Sequence, residues 1–367
     1  MKKSILMIIL VCMISILFIG CNSKQETKKE PETKKEQPNE NVNNKDDGDQ
    51  IPDVELPRKG LIEAVKKLPE KKIKLSYLGY KNNEFWIPVE EGVLAAKEYL
   101  KNFNCDVEWV IMGEDINAEN CIAAIETTIT KKYDGFAIVP INDGTFEYMN
   151  KAVDRGIPVV SVIAEGSEKA SGLIESKALA FMGTDAYAAG QQAGKLIEEL
   201  TGGEGKIGVI TGYFTAPQHE ARRMGAVDYL EENCPDIEII ATVENQDDTL
   251  LAYSAAKDFF TKAPDLKLIY GCAGGAQGAA EAIKDLGLKG KAGLVCYDHI
   301  PVNIDYAREG YIWAALDQQP YENSFNALVY LYNNIVAGEE PPVDENGDIY
   351  VTPTVMTPDN VDELYPE

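Results

Sequence analysis

Histidine is scarce in this chain of 367 residues: there are two, His219 and His299. They stand far apart and match no metal-ligand spacing, so no metal site is expected. Cysteine gives no framework either. Cys12 and Cys21 lie near the start, and Cys105, Cys121, Cys234, Cys272 and Cys296 are scattered singly among apolar neighbours. Such a set reads as small core residues rather than a disulfide scaffold, with one bridge open between Cys272 and Cys296, which end two candidate strands. Excess positive charge is also lacking. Lys and Arg number 35 against 60 Asp and Glu, a net charge of −25, which argues against nucleic acid or an anionic membrane face as partner. No Ser nucleophile elbow and no closely spaced carboxylate pair placed by a motif is present. "GCAGGAQG" has its glycines at 271, 274, 275 and 278, and "GGEGKIG" at 202–208 precedes a strand instead of following one. Neither is a phosphate loop. The residues ask for no enzyme and no cofactor.

What is there begins with Lys2 and Lys3, an apolar run from Ile5 to Ile19, then Gly20-Cys21. The run is short for a membrane span, which needs about 20 apolar residues, and reads as an export signal. "LFIGC" resembles the lipobox of bacterial lipoproteins, with Phe18 where such boxes usually carry Leu. That resemblance implies a signal over residues 1–21 and acylation of Cys21, which becomes the new N-terminus. Residues 22–60 are mostly Lys, Glu, Asn, Gln, Asp and Pro and cannot bury enough surface to offset their ordering entropy. They are expected to be a disordered tether, and roughly 36 such residues span about 30–36 Å as a coil.

From Ile73 onward, short β-branched runs alternate with helix-length amphipathic stretches. Strict alternation with near-continuous apolar strands predicts parallel sheets covered on both faces. The order also repeats. "IKLSYLGYKNNEFWIPVEEGVLAAKEYL" lines up with "GKIGVITGYFTAPQHEARRMGAVDYL", each with a strand, Gly-Tyr, a polar loop and a helix carrying Gly92 or Gly225. The expected fold is α/β, two doubly wound parallel-sheet lobes joined by a multi-crossing hinge. The first lobe takes residues 71–183 and 319–347, the second 184–318 and 348–367. Ligands bind such sheets outside the carboxyl ends of the strands, and two hinged lobes make a cleft.

The strand-end loops hold the candidate residues. In "GYKNNEFW", Phe85 and Trp86 either staple the helix entry or form a flat wall on which a sugar ring stacks while Asn83 binds its hydroxyls. Two adjacent rings at a strand end favour the wall. Arg222 and Arg223 either are solvated helix charges or grip vicinal hydroxyls with the guanidinium fork. Asp298 ends a strand where an unpaired carboxylate would be costly, and it suits a pair of hydroxyl donors. Gln318 adds an amide, and Asp317 is assigned to the hinge.

Over about residues 71–360 the chain resembles the type I periplasmic binding proteins, in the ribose/galactose-binding branch that feeds ABC sugar importers. The landmarks are "NNEFW", "DGFAIVP", "GIPVVSV", "GTDAYAAGQQAG", "ARRMG", "LVCYD" and "AALDQQP". The resemblance implies sugar contacts from Asn83, Phe85, Trp86, Arg222, Asp298 and Gln318. The family's Asp-Arg pair falls on Ile163-Ala164, its Asn after the strand "LKLIYG" on Ala273, and a polar residue on Val139. Asn142, Glu165 and Gln277 are the candidates to replace them. These departures point to a deoxy sugar, a modified sugar or a larger glycan. The expected protein is a monomeric, extracytoplasmic, lipid-anchored receptor that delivers a saccharide to an ABC transporter permease. A sensor presenting the same ligand to a membrane kinase or chemoreceptor is the alternative.

Overall fold

The structure, a computed structural model, describes residues 53–114, 117–140, 144–165 and 172–366. The signal segment, Cys21, most of the expected tether and Asn142 lie outside the described residues. Among those described, no helix is long and apolar enough to cross a membrane.

The chain runs β1 (Ile73–Gly79), α1 (Trp86–Lys101), β2 (Cys105–Ile111), α2 (Ala118–Thr130), β3 (Gly135–Ile138), α3 (Thr145–Val153), β4 (Val159–Val162) and β5 (Ala180–Gly183). It continues with α4 (Ala186–Thr201), β6 (Glu204–Thr211), α5 (Pro217–Asn233), β7 (Asp236–Glu244), α6 (Thr249–Lys262), β8 (Leu266–Gly271), α7 (Gln277–Asp285), β9 (Gly293–Tyr297), α8 (Pro301–Arg308) and β10 (Ile312–Asp317). Last come α9 (Pro320–Ala337), β11 (Asp348–Tyr350), β12 (Thr354–Met356) and α10 (Val361–Leu364). Local signals set the helix starts. Asp185 and Asp248 cap α4 and α6 by accepting the Ala188 and Leu251 N–H groups at 3.0 and 2.8 Å, while α5, α8 and α9 each open on proline, both standard N-terminal devices.

Two six-stranded sheets form with the same order, β2-β1-β3-β4-β5-β11 and β7-β6-β8-β9-β10-β12. Every pairing is parallel except β10 with β12. In β8 the side chains alternate between layers. Leu268 and Tyr270 face one apolar cluster and Ile269 the other, as period-2 geometry requires. The two repeat glycines have matching uses. A Cβ on Gly92 would come within 2.3 Å of the Tyr321 carbonyl, and one on Gly225 within 2.1 Å of the Tyr187 carbonyl. Each lets another helix lie close against the helix that carries it, α9 on α1 and α4 on α5.

Three boundaries differ from expectation. Strand β5 was not anticipated, because four apolar residues after a polar loop carry no readable period. Residues 348–350 do not join the second lobe: Asp348 pairs with Phe181 on the edge of the first sheet. The last crossing therefore falls at 351–353, just before β12. The tether also stops short of residue 60. Val54 and Leu56 pack on the first core, and the chain to residue 68 forms a strap along α9 and α1. Its backbone N–H groups at Ile62, Ala64 and Val65 donate to Asn326 Oδ1, the Tyr99 hydroxyl and Asn333 Oδ1 at 3.0, 3.0 and 2.8 Å. The five described cysteines are all buried and unpaired, so Cys272 and Cys296 make no bridge.

Candidate functional site

The carboxyl ends of the second sheet bring three of the predicted residues together. Arg222, in the second turn of α5, is 5% exposed. Its guanidinium lies 4.4 Å above the Tyr297 ring, and its backbone carbonyl accepts the Tyr270 hydroxyl at 3.2 Å. Its Nη2 donates to Gln318 Oε1, and Gln318 Nε2 donates to Asp298 Oδ1 at 2.6 Å. Gln318 sits between β10 and α9, on a crossing between the lobes, so this chain of bonds ties the second lobe to the hinge. The Arg222 Nε–H is buried and makes no hydrogen bond. Burial pushes the Asp298 carboxyl up, and the Arg222 charge and Gln318 amide pull it back.

The backbone around the group is strained. Seven non-glycine residues among those described have positive φ, and five of them, Ile163, Gln246, Asp247, Asp298 and Gln319, lie on strand-end loops or a crossing. Asp tolerates that region, but a β-branched Ile at φ 67° is a true outlier, and such strain clusters at ligand sites. The Ile163 carbonyl accepts the Gln218 Nε2 amide at 3.2 Å, a direct bond between the lobes.

Asp247 belongs to the same group and sequence reasoning missed it. It is exposed by area, yet crowding by neighbours is the largest cause raising its carboxyl. A Gly274 N–H opposes the shift, the Asp298 charge adds to it and Arg222 reduces it. A signal existed: Asp248 is the helix cap, which leaves its neighbour in "NQDDT" unused by local structure.

The first lobe corrects the aromatic wall. Trp86 is 3% exposed and opens α1 with its ring edge-on to Tyr80, centroids 5.5 Å apart. It is core, and the helix-entry staple describes it better than a ligand face. Phe85 is half-buried beside it, the two rings 5.5 Å apart at 83°, and packs on the first core, so neither ring stands free as a flat wall. Asn83 is exposed and its Oδ1 accepts the Phe85 N–H at 3.1 Å, which fixes the loop. Val139, Ile163, Ala164 and Ala273 are buried apolar residues.

The replacements fare unevenly. Gln277 does not join the group, because its amide donates to Thr249 Oγ1 at 3.0 Å and braces α6 against α7. Glu165 follows β4, half-buried, and its charge contributes to raising the Tyr350 phenol. Arg223 turns away to an ion pair with Glu220. Asp317 accepts the Gln319 N–H at 3.1 Å, and burial, then the Asp298 and Glu322 charges, push it up to about 7. Among the described residues, no cluster of three or more His, Cys, Asp or Glu could hold a metal ion. What the group offers is a fork of donors, two carboxylate acceptors and one aromatic edge, a chemistry for neutral hydroxylated molecules.

Comparison with known proteins gives the family. The family model described as "Periplasmic binding protein domain" matches residues 75–340. The D-allose-binding periplasmic protein of Escherichia coli (strain K12) is 24% identical over 283 residues, 75% of this chain and 88% of that one. Among solved structures, the arabinose-binding protein AraP of Geobacillus stearothermophilus is 28% identical with a TM-score of 0.67, covering 80% of this chain and 99% of its own. The sugar-binding protein of a sugar ABC transporter from Bacillus halodurans is 26% identical with a TM-score of 0.70, covering 80% and 100%.

Proposed function

The chain belongs to the periplasmic binding protein family, with a match over most of its length, and from that premise we propose that it is the extracytoplasmic sugar receptor of an ABC importer. The observation that carries this reading is the bonded group Arg222, Gln318 and Asp298. It sets donors and acceptors side by side at the lobe crossing, so a ligand that satisfies them touches hinge and lobe together. Closure then follows as a population shift toward the state with more contacts. Arg222 supplies donors, Asp298 and Asp247 accept from hydroxyls, Gln318 does both, and Phe85 lines the entrance. Asn83 holds the Phe85 loop, and Glu165 is the remaining polar group at the end of β4. Binding, not turnover, is the activity. Micromolar affinity corresponds to about −8 kcal/mol, within reach of a few charge-assisted hydrogen bonds and ring contacts.

Anchoring through an acyl group on Cys21 is part of the same proposal. Cys21→Ser is expected to release the protein to the medium or to leave an unprocessed precursor, and normal acylation would refute it. The receptor reading is tested by a thermal-shift screen over mono-, di- and oligosaccharides. A sugar that raises Tm in the native protein and fails to do so in Asp298→Asn supports it. No response to any sugar removes it.

A further inference from the structure

The two halves of the repeat differ in a way that the inner group does not use. In each, Gly-Tyr ends the first strand or follows it, and the tyrosine ring leans on a ring six residues later. Tyr80 meets Trp86 at 5.5 Å and 64°, and Tyr213 meets His219 at 6.4 Å and 18°. In the first lobe the pair is sealed in the core. In the second, Tyr213 is 40% exposed and the next residue, Phe214, 46%.

The loop that displays these rings is braced. The Tyr213 hydroxyl donates to the Gln246 carbonyl at 3.0 Å and its N–H to His219 Nδ1 at 3.2 Å. The Phe214 N–H donates to Glu244 Oε1. Because His219 Nδ1 accepts, the neutral ring carries its proton on Nε2. The loop also lies at the junction of the lobes, since it runs into Gln218, whose amide donates to the Ile163 carbonyl of the first lobe at 3.2 Å. Asp247 links the rings to the inner group. A Cβ on Gly212 would lie 2.4 Å from its Oδ1, and the same carboxylate senses the charges of Asp298 and Arg222. No Lys or Arg occurs from Gly212 to Ala221, so the loop presents ring faces and acceptors and no cation for an acidic ligand.

We propose that Tyr213 and Phe214 form an outer subsite for a second sugar ring, so that the preferred ligand is at least a disaccharide. The inner ring is held by Arg222, Asp298 and Gln318, and Asp247 accepts a hydroxyl between the two rings. Aromatic faces suit the C–H faces of a pyranose, and a fixed loop keeps the ordering cost of binding low. The proposal rests on the sugar reading above, and one experiment separates the two.

Isothermal titration of the full-length protein in detergent compares glucose with cellobiose, galactose with galactobiose, xylose with xylobiose and arabinose with arabinobiose. At least one disaccharide is expected to bind about tenfold or more tightly than its own monosaccharide, a difference of about 1.4 kcal/mol. Phe214→Ala is expected to shrink that gap to less than about twofold, and Tyr213→Ala to do the same. The Phe214 backbone bond to Glu244 persists in alanine, so the first variant keeps the loop. Disaccharides that bind no more tightly than their monosaccharides overturn the outer subsite and leave the receptor reading standing. So does a gap that survives both substitutions. If none of the eight sugars binds, the sugar reading itself falls and the subsite with it.

Discussion

At the scale of the residue, Trp86 and Asp298 divide stability from binding. The indole closes against Tyr80 and Phe85, and a Cβ on Gly79 would approach it to 3.2 Å. Such a ring cannot shrink without leaving a cavity that its neighbours only partly fill. Trp86→Ala is therefore expected to cost about 3–5 kcal/mol, read as a fall in the urea midpoint at constant m. A cost below about 1 kcal/mol would put the ring back in the crevice. Asp298 is the opposite case. Its backbone is held by the Leu316 carbonyl at 2.8 Å and by the Asn303 amide at 2.8 Å, so Asn keeps the frame and loses only the charge. Asp298→Asn is expected to weaken sugar binding at least about tenfold, the value of one charge-assisted hydrogen bond. Unchanged affinity in titration calorimetry would take the residue out of the site.

At the scale of the element, α9 explains an otherwise odd composition. It carries Asn323, Asn326, Asn333 and Asn334, and Asn is a poor helix former. Each of the two that face the strap satisfies a backbone group there, and Asn333 does so twice, accepting from Val65 and donating to the Glu63 carbonyl at 3.1 Å. Asn333→Ala leaves both strap groups without their partner and is expected to cost about 1–3 kcal/mol. Amide exchange at Ala64 and Val65 is expected to accelerate more than exchange in β8; equal protection in the variant would mean that the strap is held by its apolar residues alone. The same helix shows what the sequence could convey. The strand and helix periods from Ile73 to Ala337 are strong because each element is covered on a defined face, and the alternation read from them is the one the fold shows. The strap, β5 and β11 show no readable period, and what orders them is contact with elements far away in sequence. In the candidate group, the three residues that the fold brings together, Arg222, Asp298 and Gln318, could be singled out beforehand because a charged or amide group at a strand end has few structural uses. Trp86 was misread because a ring beside a helix start is equally suited to stapling, and only three-dimensional packing against Tyr80 decides between the two.

At the scale of the whole molecule, the lobes are joined where β5 meets α4, where β10 meets α9, and between β11 and β12. The middle crossing carries an unusual load of negative charge. Asp317 faces Asp298 and Glu322, and burial together with those charges raises its carboxyl to about 7, against which the Gln319 and His299 backbone groups pull only weakly. Arg58 of the strap partly offsets the load through Glu322 at 3.6 Å. A carboxyl with a folded pKa above its unfolded value near 3.9 holds more proton in the folded state between those two values. Stability from this group is thus full below about pH 4, falls as pH rises toward 7, and stays low above it. His219 and His299 act with the opposite sign. Both are held down at about 4 by burial, so their contribution is present above about 6.5 and is lost as pH falls toward 4. The raw pH profile of Tm mixes the two, but the difference between Asp317→Asn and the native protein isolates the first. Asn can still accept the Gln319 N–H, so the crossing keeps its turn. The variant is expected to come nearest the native Tm at about pH 4 and below, to exceed it progressively up to about pH 7, and to keep that excess above it. A Tm difference independent of pH would show that Asp317 titrates normally and that the hinge stores no charge strain. If the strain is real, closing around a ligand at neutral pH must either hold that proton or expose the carboxylate to water. Sugar affinity in the native protein is then expected to vary across pH 6–8, and that dependence to flatten in Asp317→Asn.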